Sequence, residues 1–199
     1  MRIISGLAGG IPLKVPAAVA RPTTDKVRQA LFSMLGDVVF EARVLDLFAG
    51  SGALGLEALS RGAASALFVD ENRHACTAIR ENLAKSRLEG ALVRQGEAQR
   101  VLAELARTQP GGFDLIFADP PYAHGPKDVN WSLKLLQGEE LKQVLSPEGS
   151  AIIECRMTKE LILPSWGWTV VRDREYGDTR LLWLQKSKDA HTPTQPCPL

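Results

Sequence analysis

Five short runs rich in aliphatic and β-branched residues, Arg43–Phe48, Ala66–Asp70, Ala91–Gln95, Phe113–Ala118 and Ser150–Cys155, recur along the chain with stretches of helical character between them. Strands joined by two-residue turns pair antiparallel, whereas parallel neighbours need a crossover of about a dozen residues or more, usually a helix. Every gap here is of the second kind, so the pattern predicts an α/β fold, a mostly parallel sheet covered by helices on both faces. After Cys155 the pattern changes to Gly167–Tyr176, a Gly177-Asp178 turn and Thr179–Gln185, which reads as a β-hairpin closing the sheet.

The helical segments carry their own punctuation. Asn72 can cap a helix in which Ala75, Ile79 and Leu83 form one stripe and after which Gly90 follows. Upstream, Thr24 caps a helix with Val27, Leu31, Met34 and Leu35 on one face, and Gly36 stops it. The first fifteen residues, rich in glycine and β-branched residues, are expected to form another hairpin. The predicted organisation is an N-terminal hairpin-and-helix appendage (1–36), a main domain (37–186) and a disordered tail (187–199) holding Pro193, Pro196 and Pro198 among polar residues.

At 199 residues the chain suits one domain with a substantial core. It has no run of about 18 apolar residues and its first residues lack the apolar core of a signal peptide, so a cytoplasmic protein without membrane contact is expected. Cys76, Cys155 and Cys197 are widely separated with no metal-binding spacing, which reads as thiols in a reducing compartment and no metal.

The first strand runs into Ala49-Gly50-Ser51-Gly52-Ala53-Leu54-Gly55 and then a helix, the strand–loop–helix context of a GxGxxG nucleotide site. On that pattern alone a dinucleotide would be the default ligand. Asp46 argues otherwise: an acid in an apolar strand is costly to bury alone, and beside a pyrophosphate it is repulsive. A cationic ligand removes both objections. S-adenosylmethionine carries an ammonium and a sulfonium and no phosphate, and so fits better than NAD or FAD. Asp70 ends the second strand, where an acid can reach ribose hydroxyls, and Glu97 follows the third, where adenine should lie. Either acid taken alone is better explained as a helix N-cap or first-turn acid; successive placement at three strand ends favours the ligand reading. The expected cofactor set is Asp46, Phe48, Gly50, Ser51, Gly52, Gly55, Asp70, Glu97 and Ala98.

The fourth strand ends in Asp119-Pro120-Pro121-Tyr122. The prolines fix a turn that loses little entropy on binding. Its acceptors, the Asp119 carboxylate and the Pro120 carbonyl, suit the two N–H groups of an exocyclic amine, while Tyr122 offers a stacking face to the base. Such a tetrad in isolation is a strand-ending turn; beside the glycine loop at the topological switch point it reads as catalytic. Residues 1–30 hold Arg2, Lys14, Arg21, Lys26 and Arg28 against Asp25, a net +4 that suits phosphates or, equally, a solvated face.

With Arg21-Pro22-Thr23-Thr24-Asp25-Lys26-Val27-Arg28, the segment from Leu45 to Gly62 and the tetrad in hand, the chain resembles the bacterial 16S ribosomal RNA guanine-N2 methyltransferases from Met1 to about Lys186. The resemblance implies a Rossmann-like class I S-adenosylmethionine-dependent methyltransferase, its seven-stranded, mostly parallel sheet ending in an antiparallel hairpin. It implies methyl transfer to N2 of one guanine of 16S rRNA, leaving S-adenosylhomocysteine; the modest size of the basic arm points to an assembled or assembling 30S subunit as the substrate, and a monomer is expected. It carries target-base contacts onto Asp119 and Tyr122, within the catalytic set Asp119, Pro120, Pro121 and Tyr122, while the basic residues Arg2, Lys14, Arg21, Lys26 and Arg28, with Thr23, are the candidates for RNA contact. Where relatives carry basic residues after the hairpin glycines, this chain has Gly9-Gly10-Ile11-Pro12, which weakens a phosphate grip by the hairpin itself. Two alternatives stay open on the residues alone. An adenine-N6 DNA methyltransferase would use the same tetrad but lacks its recognition insert here, and a dinucleotide-dependent oxidoreductase would leave Asp46 and the tetrad unexplained.

Overall fold

A computed structural model describes residues 1–16, 24–121, 128–156, 167–177 and 179–187. Seven strands form one sheet: β1 (Arg43–Leu47), β2 (Ser65–Asp70), β3 (Ala91–Gln95), β4 (Phe113–Ala118), β5 (Leu145–Arg156), β6 (Trp168–Tyr176) and β7 (Thr179–Lys186), in the spatial order β3-β2-β1-β4-β5-β7-β6. The first five are parallel; β7 pairs antiparallel with β5, and β6 antiparallel with β7. The expected seven-stranded, mostly parallel sheet with a terminal antiparallel hairpin is the fold observed.

The helices are α1 (Asp25–Leu35), α2 (Ala53–Ser60), α3 (Arg73–Ser86), α4 (Ala98–Thr108), α5 (Trp131–Gln137) and α6 (Glu140–Val144). Strand periodicity decides what each covers, because successive side chains point to opposite faces. Val44, Phe68, Leu115 and Phe117 join one core cluster with Phe32 of α1, Leu56 of α2 and Ile79 of α3. Their neighbours Leu45, Leu47, Val69 and Ile116 join a second with Leu102 and Leu105 of α4 and Leu141 of α6. Burial on both faces explains why these strands read as continuous apolar runs.

Thr24 Oγ1 accepts from Val27 N–H at 3.4 Å and Gly36 closes α1 at φ +51°, as the sequence predicts. Asn72 Oδ1 accepts from His74 N–H at α3, but the left-handed closing position belongs to Arg87 (φ +55°) rather than Gly90. Gly90 serves the approach to β3 instead, since a Cβ there would lie 2.7 Å from Ala64 O. β5 begins five residues earlier than the sequence suggests, and its pairing with β4 shifts register between Phe113 and Leu115.

The N-terminal hairpin is reduced to one antiparallel bridge, Arg2 with Pro12, with Leu13 N–H donating to Met1 O at 3.1 Å. It is docked more firmly than a free appendage: Ile3, Ala8 and Leu13 are buried in the α1–α2–α3 cluster. Buried Glu57 accepts from the Ile4 and Ser5 amides at 2.6 and 3.1 Å and from Arg61 Nε at 2.7 Å. Gly6 closes the turn at φ +82°, where a Cβ would fall 1.8 Å from Ser60 O, so no other residue fits. The expected tail lies outside the described residues apart from Ser187. Among the described residues no helix is long and apolar enough to cross a membrane.

Candidate active site

The glycine loop leaves β1 through Phe48, which adopts φ +59°, a left-handed conformation that strains a residue with a side chain. The chain then turns through Gly50 (φ +56°) and Gly52 (φ +77°) into α2. Gly55 lies where α2 crosses β1 and β2; a Cβ there would come within 2.4 Å of the Phe68 ring and 3.1 Å of Asp46 Oδ2. Its amide instead donates to Asp46 Oδ2 at 2.9 Å.

Asp46 is 2% exposed. Burial pushes its carboxyl up to about 8, against the Gly55 hydrogen bond, and the nearby charges of Asp119 and Asp70 push it further in the same direction. Three of the predicted site acids therefore share one electrostatic neighbourhood at the carboxyl ends of β1, β2 and β4, where the strand order reverses. Asp70 accepts from Gly50 N–H and Asn72 N–H, both at 2.8 Å, tying the glycine loop to the end of β2. A carboxylate has about four acceptor positions, so these bonds leave Asp70 capacity for a further donor. Glu97 stands at the N-cap of α4 without a side-chain capping bond, which removes the helix-cap explanation for its carboxylate.

Ser51 is buried and Gly52 packs under Ile79 and Phe68, so both shape the loop from beneath. Ala98 is buried in the first turn of α4. Asp119 and Pro120 follow β4 directly, Asp119 half-buried and Pro120 buried, and Pro121 is exposed. Tyr122 lies outside the described residues, as do Arg21 and Thr23 of the basic segment.

One predicted RNA contact is corrected. Arg28 is fully buried, donating from Nη1 to Ala53 O at 3.3 Å and from Nη2 to Arg2 O at 2.5 Å and Asp25 Oδ1 at 2.7 Å. A guanidinium enclosed in this way does not meet a phosphate. Arg2 and Lys14 keep exposed side chains, with Asp25 at 3.9 Å and Glu81 at 2.6 Å as surface partners, and Lys26 is exposed. Such exposed pairs are weak and exchange readily for another anion.

Sequence reasoning missed three residues here. Trp131, at the start of α5, meets the Phe48 ring at 5.7 Å between centroids and lies under the Lys134 ammonium at 5.0 Å. Glu57 and Asn82 are buried polar side chains, and each had a readable signal, a polar residue inside an otherwise apolar helical stripe. Cys76 and Cys155 are buried free thiols, with burial pushing Cys155 up to about 11. Among the described residues no cluster of His, Cys, Asp and Glu is arranged to hold a metal.

A family model described as "Conserved hypothetical protein 95" matches residues 1–185. The chain belongs to this family. Among relatives of this Conserved hypothetical protein 95 chain, YlbH of Bacillus subtilis is 39% identical over 188 residues, covering 94% of this chain and 99% of that one. Ribosomal RNA small subunit methyltransferase D of Escherichia coli is 35% identical over 187 residues, covering 94% and 90%. The solved yhhF protein of Escherichia coli superposes with a TM-score of 0.79 at 33% identity, over 95% of this chain and 99% of that chain. More distantly, SMU.776, solved in complex with SAH, shares the fold at a TM-score of 0.63 and 14% identity, over 76% of this chain and 48% of its own.

Proposed function

We propose that this chain transfers a methyl group from S-adenosylmethionine to the exocyclic N2 of a guanine in 16S ribosomal RNA, in the cytoplasm, on an assembled or assembling 30S subunit. The observation that carries the reading is the meeting of Asp46, Asp70 and Asp119 at the strand ends around a glycine loop. The naming of the Escherichia coli relative as a small-subunit ribosomal RNA methyltransferase supports the substrate class. The SAH complex of a protein with the same fold supports the cofactor.

The residues fit the cofactor they would hold. Asp46 is a buried acid whose pair of like-charged neighbours is relieved by a bound cation, Asp70 retains acceptor capacity for ribose hydroxyls, and Glu97 is not consumed by its helix. The bound sulfonium supplies a methyl group already activated toward nucleophiles. The chain's contribution is alignment, which can supply much of a barrier reduction. A guanine amino group is a poor nucleophile because its lone pair is delocalised into the ring. Asp119 and the Pro120 carbonyl, accepting its two N–H bonds, favour pyramidalisation and receive developing positive charge. Tyr122 supplies the stacking face for a base drawn out of its helix.

The deciding experiment maps methylated bases in 16S RNA from a strain lacking the gene, before and after the purified protein is added back. A missing and restored N2-methylguanine is the expected result. A restored methyladenine would refute the guanine assignment.

A further inference from the structure

The acids of the site hold two amides of the glycine loop, Gly50 N–H on Asp70 and Gly55 N–H on Asp46. Two of its carbonyls are held from outside. Asn82 of α3, 1% exposed, donates from Nδ2 to Ser51 O at 3.0 Å, and the buried Arg28 of α1 donates to Ala53 O. Each of these side chains also grips the N-terminal segment by its backbone. Asn82 Oδ1 accepts from Lys14 N–H at 2.8 Å while Nδ2 donates to Lys14 O at 3.0 Å, and Arg28 Nη2 donates to Arg2 O. The Asn82 amide thereby uses both its donors and its acceptor, a set that neither a carboxylate nor an aliphatic side chain of that size can supply.

Arg2 and Lys14 bracket the hairpin and carry the exposed cations assigned to RNA, so one buried side chain on each branch separates a phosphate-facing residue from the cofactor loop. We propose that Asn82 and Arg28 are positioning residues that lock the N-terminal segment to the glycine loop, so that filling the cofactor site and binding RNA favour each other. This rests on the assignment of the loop to S-adenosylmethionine and of Arg2 and Lys14 to RNA. The physical basis is ordering: a ligand that rigidifies the loop fixes Ser51 and Ala53, and through the two clamps fixes the segment that RNA must find ordered. By linkage the effect is reciprocal.

Hydrogen exchange reads the clamp without RNA. Adding S-adenosylhomocysteine to the intact chain should slow exchange at Gly50 and Gly55 and also at Ile3, Leu13 and Lys14; in Asn82→Ala the slowing at Lys14 should be lost, while that at Ile3, beside the Arg2 held by Arg28, persists. In parallel, affinity for a 16S RNA fragment is measured with and without S-adenosylhomocysteine. The intact chain should bind at least about fivefold more tightly with it, the low end of usual coupling factors, and Asn82→Ala, which leaves only the Arg28 branch, should lower that ratio. Lys14→Ala keeps the backbone contacts, so it should weaken RNA binding and preserve the ratio. If Asn82→Ala does not fold, Asn82→Asp, which keeps the acceptor for Lys14 N–H and loses both donors, is read in the same way. Slowing at Gly50 and Gly55 of the intact chain without slowing at the N-terminal segment, or a ratio unchanged in the folded variant, overturns the clamp. No slowing anywhere in the intact chain overturns the cofactor reading instead.

Discussion

Replacing Asp46 by asparagine separates two roles of one buried carboxyl. The rise from its ordinary 3.8 to about 8 corresponds to about 6 kcal/mol, at 1.36 kcal/mol for each tenfold change in proton affinity. Because the folded-state value is the higher, the unfolded chain gives up the proton first. The contribution to stability is whole below about pH 4, declines from there and is gone above about pH 8. The asparagine side chain of Asp46→Asn keeps an oxygen for Gly55 N–H and has no proton to lose, so the ligand-free variant should be nearly flat across that window and more stable than the parent above about pH 8. Cofactor binding should move the other way. Removing one partner of a buried charge pair costs roughly 2–5 kcal/mol, so S-adenosylmethionine affinity should fall by about 30-fold or more. Urea denaturation at a series of pH values and titration calorimetry on the same two proteins provide both readings. In the parent, binding near neutral pH should release a proton, seen as a dependence of the heat on buffer ionisation. An identical pH slope in parent and variant would refute the electrostatic argument, and unchanged affinity would refute the pairing with the cofactor.

Asp119→Ala should abolish methyl transfer and leave S-adenosylmethionine affinity nearly intact, because the acid is assigned to the base; a large calorimetric loss of cofactor binding in a folded variant contradicts this. Gly55→Ala would drive a methyl group into Phe68, and should lower stability by about 1–3 kcal/mol in urea unfolding with a matching loss of cofactor affinity. With Arg28 enclosed, Arg2, Lys14 and Lys26 are the described cations left for phosphates, so RNA affinity should fall with log salt at a slope of about −2, near −0.7 per contact for locally single-stranded RNA. A slope steeper than about −4 would show a second basic surface. So modest a grip predicts faster methylation of 30S subunits than of deproteinised 16S RNA from a deficient strain; the reverse order would defeat the particle hypothesis.

The strands, the mostly parallel sheet and the acids at strand ends were readable because they follow from apolar runs, crossover length and acids placed after strands. The early start of β5 was hidden by Pro147 and Gly149, which read as loop yet lie within the strand, where the pairing with β4 is irregular. Arg28 was misread for a different reason. A charge count assumes solvent, and only the arrival of Ala53 O and Arg2 O from elsewhere in the chain turns that guanidinium inward, although Asp25 three residues earlier hinted at a local partner. Asn82 sits on the stripe of Ala75 and Ile79, so its position on the buried face was legible while its partners, Lys14 and Ser51, were not.

The anchoring of the N-terminal segment also bears on how the chain is made. Ile4 and Ser5 bond to a carboxylate 53 and 52 residues further on, Ala8 to a hydroxyl 52 further on, and Lys14 to an amide 68 further on. At about 5–20 residues per second, residues 4–14 wait roughly 3–14 seconds after their own synthesis for these groups to be made. Closing loops of that length is slow compared with forming α2 or α3. The beginning of the chain is thus among the last parts to find its place, and the cofactor loop acquires its outer support only when α3 has emerged.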